Sequence, residues 1–447
     1  MSIELHDKEA VPALREALGY VARHRGEVFV IKLESGLVEA SVFQSLMRDI
    51  ASLHRMGIRV VVVPGSRRQI DAMLRTWEVE SPMAGEVRVT TEEAMPFVTL
   101  AAFDVCNRIM THLAESGANA LIGNWVKARG LGVLDGIDYL LTGSVQSLRT
   151  EILRQLMGQE FVPIVPNIGW NSAGRPYNVS STQLAMELAV QLGASKLFFL
   201  CDERPEVGPD LVLPEDVERG DSGMLSSLNL GQAEEFLDTN ALRVSQPYRD
   251  YLRRALEACR KGVRRTHILD GQEDGALLRE IFSQDGQGTM VFANEYDHIR
   301  RAEVRDVPDI LRIQEPYVAQ GVLLPRTAEQ IEAKIGDYVV HEADGFIQGS
   351  AALHPFPDGS AEVAAVAVAE HVRRFGVGRK IVQFLLQKAV RMGYDKVFLL
   401  TTQTSDWFAD LGFERGDLAD LPQDKVSAYD IKRRSLVFVR TIRRSGV

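Results

Sequence analysis

Two apolar periods alternate along the first part of the chain. Short unbroken apolar runs are followed by stretches in which apolar residues recur every three or four positions. EVFVIKL (27–33) and IRVVVVPG (58–65) are of the first kind; SVFQSLMRDIASLHRMG (41–57) and RQIDAMLRTW (68–77) are of the second. An unbroken run presents no polar face, so it predicts a strand covered on both sides; the longer period predicts a helix with one buried stripe. Ser41 is the expected N-cap of the first helix and Gly57 its stop. ANALIGNW, EFVPIVPNIGW, SKLFFLCD and THILDG continue the strand series, GALLREIFS adds a helix, and GQGTMVF a closing strand. Strands alternating with helices predict an α/β sandwich around a mainly parallel sheet. Ahead of it, residues 9–25 (EAVPALREALGYVARHR) read as a free-standing amphipathic helix.

The pattern restarts after a short polar stretch. Residues 293–297 read as a linker, which separates a domain of residues 1–292 from one of residues 298–447. IRRAEVRDVPDILRI (299–313) opens the second part of the chain. Further on, the small-residue strand EVAAVAVA (362–369) enters the basic turn Arg373-Arg374-Phe375-Gly376-Val377-Gly378, which opens into a helix through Lys388. Glycines let the backbone approach a ligand closely, and the free N–H groups of a helix N-terminus favour an anion. Arg379 and Lys380 add charge, so this turn reads as a pyrophosphate cradle, against the plainer reading of a helix that starts at a glycine turn. KVFLLTT (396–402) is the next strand and SDWFADLGF (405–413) a helix with an aromatic-rich turn.

At 447 residues the chain exceeds what one core organises. Its formal net charge of −10 argues against non-specific nucleic-acid binding, so local basic clusters serve specific anions. Cys106, Cys201 and Cys259 are few and scattered, which suits reduced core thiols and neither a disulfide framework nor a metal site. The N-terminus is acidic and lacks an apolar core, so no signal peptide is expected, and no apolar run approaches the ~18 residues of a membrane span. A cytoplasmic location is the expectation.

The R-x-x-G-x-G turn between strand and helix, with the segments at 299–313, 396–402 and 405–413, resembles the GNAT acetyltransferases, a mixed α/β fold. The opening strand–helix–strand order and HILDGQEDGALLREIFSQDGQGTMV (267–291) resemble the amino-acid kinase family. Their fusion is the arrangement of the bacterial N-acetylglutamate synthase family. HRGEVFVIKL, LGVLDGIDY, CRKGVRRTHIL, QEDGALL, GVLLPRT and ALHPFP are similar to segments of that family. The resemblance implies acetyl-CoA as co-substrate, L-glutamate as acceptor, the entry step of arginine biosynthesis, L-arginine as effector, and a homo-oligomer such as a hexamer. N-acetylglutamate kinase activity and a non-catalytic arginine or acetyl-CoA sensor are the alternatives.

Active kinases of that family carry Lys-x-Gly-Gly after the first strand and a glycine triplet after the second. Here the places hold Lys32-Leu33-Glu34-Ser35 and Pro64-Gly65-Ser66-Arg67. Glu34 sets negative charge where polyphosphate would lie, and Ser35 and Ser66 add Cβ atoms, so phosphoryl transfer is not expected. Asn178 and Asp202 stand where such folds place ligand contacts, or serve as cap and turn residues. Arginine-inhibited relatives clasp arginine at the end of this domain. The matching residues are Tyr20, His267, Glu280, Gly286 and Gly288, with Glu280 suited to pair a guanidinium bidentately. A core or interface Tyr20 and an exposed Glu280 form the competing reading.

In the second domain the resemblance implies coenzyme A at Val366, Val368, Arg373, Arg374, Phe375, Gly376, Val377, Gly378 and Arg379. The pantetheine arm would enter where strands 362–369 and 396–402 splay. Ala364, Ala365 and Ala367 leave room for it, or are ordinary core. Glu362, at the head of the strand, is the candidate base for the acceptor ammonium. Arg326, Arg433 and Ser435 are implied to hold the acceptor's carboxylates, against a surface-charge reading of KRRSLVFVRTIRR. If Arg433 and Ser435 lie on the inward face of a strand, alternation turns Arg434 outward. Thr401 and Tyr429 are the two candidates for proton donor to the thiolate, which can also leave without one. Ala365 stands where some relatives have cysteine, and no cysteine follows Cys259, so a direct attack is expected.

Overall fold

The computed structural model describes residues 21–442 apart from 22–23, 205–207, 209, 215–216, 218–222, 226, 283–286, 294–296, 344–345, 371–375, 404, 428, 431–432 and 434. The helix expected at 9–25, with Tyr20, therefore lies outside the described residues, as do Gly286, Arg373, Arg374, Phe375 and Arg434. The chain divides into two compact units, Met1–Asn294 and Glu295–Val447.

The first unit is built on β1 (Val28–Leu33), β2 (Arg59–Pro64), β3 (Asn119–Ile122), β4 (Phe161–Ile164), β5 (Lys196–Cys201), β6 (Ser227–Asn229), β7 (Arg265–Asp270) and β8 (Thr289–Phe292). Their order across the sheet is β6-β8-β7-β5-β1-β2-β4-β3. The pairs are parallel except β7 with β8, so the closing strand runs against its neighbour. Every residue of VFVIKL is buried, as expected for a central strand covered by helices on both faces. Those helices are α1 (Phe43–Arg55), α2 (Arg67–Thr76), α3 (Met95–Glu115), α4 (Thr150–Gly158), α5 (Ser181–Leu192), α6 (Leu230–Thr239), α7 (Gln246–Arg260) and α8 (Ala276–Phe282). Two local expectations change. Ser41 does not cap α1; the helix opens at Phe43 with Val42 as a cap that makes no side-chain bond. EFVPIVPNIGW is two strands, because after Ile164 the chain leaves the sheet. Ile168–Trp170 then joins a small closed barrel with Val126–Gly130, Thr142–Leu148 and Pro176–Val179.

The second unit carries β9 (Asp297–Arg301), β10 (Tyr338–Ala343), β11 (Phe346–Pro355), β12 (Ser360–Val368), β13 (Lys396–Thr401), β14 (Glu414–Arg415) and β15 (Leu436–Thr441), in the order β9-β10-β11-β12-β13-β15-β14. Helix α9 (Val307–Ala319) covers one face through Val307, Ile310 and Ile313. A short helix, α10 (Ala328–Glu332), follows it. Helix α11 (Val377–Met392) covers the other face with Ile381, Val382, Leu385 and Leu386, the three-to-four spacing read from the sequence. Helices α12 (Ser405–Ala409) and α13 (Gln423–Ser427) are short.

Candidate active site

The second unit opens between β12 and β13. The two run parallel and pair only through Ser360, Ala361 and Glu362 against Lys396, Val397 and Phe398; beyond Glu362 they part. On its other edge β12 stays paired with β11, but with a register shift, and Ala365 at the shift has φ +54. That conformation is unfavourable for a residue with a Cβ and marks a bulge that turns the strand away from its parallel neighbour. At the far end of β12 the chain reaches α11. Gly376, its N-cap, sits at φ +69, where glycine is the favoured residue. The first-turn N–H groups of Val377, Gly378 and Arg379 have no intrahelical acceptors. A Cβ on Gly378 would lie 3.3 Å from Trp407 and 3.5 Å from Val368. A wedge between strands beside a helix N-terminus suits a long ligand with an anionic end. The fit differs at one place. The N–H and C=O of Val368 are both engaged by the Tyr317 hydroxyl of α9, at 3.2 and 2.7 Å, so a pantetheine amide using Val368 has to displace that hydroxyl.

Glu362 stands at the fork. Its cross-strand partners are His354 and Phe398, which puts their side chains on one face of the sheet. Phe398 packs with Leu421 and Val437, so the segment leading into α13 lies over this face. That segment delivers Lys425, whose ammonium contacts both oxygens of Glu362, at 2.6 and 2.7 Å. The Glu362 side chain is 8% exposed, so this carboxylate is not a solvated strand end. Nearby on the same face, His354 Nδ1 meets Asp337 at 2.7 Å.

The other expected residues are placed unevenly. Thr401 ends β13, and its hydroxyl is tied to the main chain of Gln403, donating to the C=O and accepting the N–H. Tyr429 donates its hydroxyl to the C=O of Ser435 at 2.6 Å. Arg433 and Ser435 precede β15, which begins at Leu436, so the strand alternation assumed for them does not apply. Arg433 instead reaches the loop after α9 and donates to the carbonyls of Gly321 and Val322 at 2.7 and 2.9 Å. The same loop carries Arg326, which donates to Leu324 at 3.3 Å. The structure thus brings Arg433 to the Arg326 loop, both partly exposed and, among the described residues, both bonded to neutral carbonyls. Sequence reasoning missed Lys425 and Tyr317. Lys425 lies in a short aperiodic segment and Tyr317 in α9, and nothing local marks the partner of either.

In the first unit, His267 and Glu280 come together. His267 Nδ1 is 2.6 Å from Glu280, and the other carboxylate oxygen accepts the N–H groups of Gln287 and Gly288 at 2.7 and 3.1 Å. The Glu280 side chain is 4% exposed, which removes the surface reading, but its oxygens are already engaged by protein donors. Lys196 lies 3.5 Å from His267 Nε2. Burial and the Lys196 charge, opposed by Glu280, pull His267 down to about 4. Gly288 admits no Cβ: one would meet Ile268 O at 2.3 Å.

The residues at the positions that match the kinase phosphate loops bond to the chain's own groups. Lys32 is buried and ion-paired to Glu34, which also accepts the Tyr251 hydroxyl. Burial pulls the Lys32 ammonium down to about 7. Asp202 accepts the Gly36 N–H at 3.0 Å and pairs with Arg68 at 3.1 Å. Asn178 is buried among Asn167 and Thr90, a closed hydrogen-bonded set. The N-cap of α5 is Ser180. Cys106, Cys201 and Cys259 are buried free thiols, and burial pushes them up to about 12, 12 and 11. Among the described residues there is no cluster of three or more His, Cys, Asp or Glu able to hold a metal, and no helix long and apolar enough to cross a membrane.

Residues 27–270 match the amino acid kinase family and residues 305–413 the acetyltransferase (GNAT) family. An amino-acid-kinase fold joined to a GNAT unit is the class of protein that fold and site define. The chain is 33% identical to the amino-acid acetyltransferase of Pasteurella multocida (strain Pm70), over 98% of this chain and 99% of that protein. It is also 33% identical to that of Edwardsiella ictaluri (strain 93-146), over 96% and 98%. Among solved structures, N-acetylglutamate synthase from Neisseria gonorrhoeae complexed with coenzyme A and L-arginine is similar with a TM-score of 0.82. The two are 28% identical, over 97% of this chain and 99% of that one. The chain belongs to the amino-acid acetyltransferase family and is an enzyme that acetylates amino acids.

Proposed function

We propose that this chain transfers the acetyl group of acetyl-CoA to the α-amine of L-glutamate, the first step of arginine biosynthesis. The observation that carries the reading is the wedge between β12 and β13, with Glu362 at its fork and the Gly376 N-terminus of α11 at its open end. The residues at that N-terminus hold the diphosphate, Arg373, Arg374 and Phe375 being assigned with them by resemblance. Val366 and Val368 line the pantetheine arm. Glu362 takes the proton from the acceptor ammonium, freeing the nitrogen lone pair to attack the thioester carbonyl. The C–S bond breaks and the thiolate departs; Thr401 or Tyr429 supplies its proton or water does. No cysteine lies beyond Cys259, so no acyl-cysteine forms in this unit. Arg326, Arg433 and Ser435 take the acceptor's two carboxylates, which outbid the neutral carbonyls these arginines now hold. The test is thiol release from acetyl-CoA across a panel of amino acids. Glutamate should be the preferred acceptor, and Glu362→Gln should lower kcat by roughly 10²–10⁴-fold with a modest change in KM. An unchanged kcat would remove Glu362 from the role of base.

The buried His267–Glu280–Gly288 cluster supports a second role, L-arginine as effector. Its guanidinium would exchange for the Gln287 and Gly288 N–H groups on Glu280, with Tyr20 and Gly286 completing the site by resemblance. We further propose a cytoplasmic homo-oligomer, with a hexamer the arrangement the resemblance favours, and a boundary between domains at residues 293–297.

A further inference from the structure

The acceptor ammonium and Lys425 compete for one place. We infer that Lys425 is a built-in stand-in for the substrate amine: its ammonium sits on Glu362 until glutamate displaces it. The inference rests on the reading of Glu362 as the group that receives the acceptor. Lys425 Nζ bridges both oxygens of that carboxylate, at 2.6 and 2.7 Å, and the carboxylate is otherwise enclosed. An ammonium is a compact charge with three donors, and the α-ammonium of an amino acid has the same charge and the same donors. An ammonium that bridges the two oxygens holds the place a second ammonium would take for the same bridging contact, so the acceptor nitrogen gains that contact when Lys425 leaves it.

The backbone that carries Lys425 suits an exchange. Leu421 anchors the segment on Phe398, Pro422 beside it is buried, and Lys396 donates to the Asp420 carbonyl at 2.5 Å. Beyond that anchor α13 is a single short turn in which Gln423, Asp424, Val426 and Ser427 are exposed. The pair with Glu362 ties this turn to the sheet ahead of the Tyr429 bond to Ser435. The Lys425 side chain is 24% exposed, and its flexible stem can carry the ammonium out toward solvent. Until an amine arrives, the buried carboxylate keeps a counter-charge rather than standing unpaired, which would be strongly unfavourable. An amine without carboxylates to engage Arg326 and Arg433 would have less to offer in the exchange. Lys425 in that way raises the threshold for acceptors that fit only in part.

The test is calorimetric binding of glutamate to the full-length protein loaded with coenzyme A. Lys425→Met keeps the stem and removes the charge. It should bind glutamate about tenfold more tightly than wild type, the equivalent of one ion pair of about 1.4 kcal/mol. It should also accept mono-carboxylic amino acids more readily in the thiol-release assay. Lys425→Arg should restore affinity to near the wild-type value. In the Glu362→Gln background, Lys425→Met should leave affinity unchanged, since there is no carboxylate left to contest. Unchanged or weaker glutamate binding by Lys425→Met overturns the inference and makes Lys425 a residue that only orients Glu362. So does tighter binding that persists in the Glu362→Gln background. The catalytic reading fails separately: if Glu362→Gln retains kcat while Lys425→Met still tightens binding, Glu362 anchors the amine without acting as base.

Discussion

At the scale of single residues, charge and burial set the chemistry. Arg433 now donates to two uncharged carbonyls, the weaker kind of partner for a guanidinium. Arg433→Ala should therefore raise KM for glutamate by roughly tenfold or more and leave acetyl-CoA affinity unaltered, as steady-state kinetics with each substrate varied would measure. Acid stability is set partly by His267. The unfolded chain takes up its proton near the ordinary value of 6.5, whereas the folded chain holds out to about 4. Between those values the unfolded state binds more protons, so stability falls as pH drops from 6.5 to 4, by up to about 1.4 kcal/mol per pH unit for this group. Glu280 acts in another window. Burial alone would raise it, but the bonds from His267 and Gln287 hold it below 4.5, so its contribution is lost only below that value. Urea unfolding at pH 6.5 and 4.5 should show a smaller loss for His267→Gln than for wild type. Of these residues Glu362, Arg433, His267 and Glu280 were legible in the sequence through family resemblance. Lys425 and Tyr317 were not: neither a lysine in a short turn nor a tyrosine on a helix carries a local mark of a partner 63 or 51 positions away.

At the scale of elements, the site is made by a strand that departs from ideal geometry and a helix that starts in the open. Ala365 holds φ +54 where β12 leaves β13. A β-branched residue resists that conformation more strongly than alanine. Ala365→Val should lower the thermal midpoint and narrow the wedge, seen as weaker coenzyme A binding in calorimetry. Gly378 leaves little room beside Trp407 and Val368, so Gly378→Val should crowd the N-terminus of α11 and weaken coenzyme A by roughly tenfold. The helix and its glycine start were readable from sequence, because three-to-four apolar spacing and glycine punctuation are local. The end of EFVPIVPNIGW as two strands in two sheets was not, because an apolar run fits either sheet equally well. The misplaced cap at Ser41 has the same origin: capping depends on the direction from which the chain enters the helix, which the N-terminal residues alone leave open.

At the scale of the whole chain, the positions where active kinases of the family carry glycines hold side chains that bond within the chain. Lys32, the cation phosphoryl transfer would use, is committed to Glu34, and Asp202 takes the Gly36 N–H. Incubation with ATP and N-acetylglutamate should therefore release no ADP above the rate without acceptor. L-arginine at a concentration 100 times its dissociation constant should stabilise the folded chain by about 2.7 kcal/mol, read as a rise in the thermal midpoint. The absence of any such rise would leave the His267–Glu280 cluster a structural pair only.

The strand–helix alternation of the first unit, the α/β class of both units, the glycine-punctuated start of α11 and the side chains at the kinase glycine positions were legible in the sequence alone. Each is written in spacing or in steric demands that act over a few residues. The tertiary structure decided which distant groups meet. Lys425 reaches Glu362 across 63 positions, Tyr317 closes on Val368 across 51, and Arg433 reaches Val322 across 111. Those contacts follow from how strands and helices pack, and packing responds to the shape of the whole core rather than to any one segment's pattern.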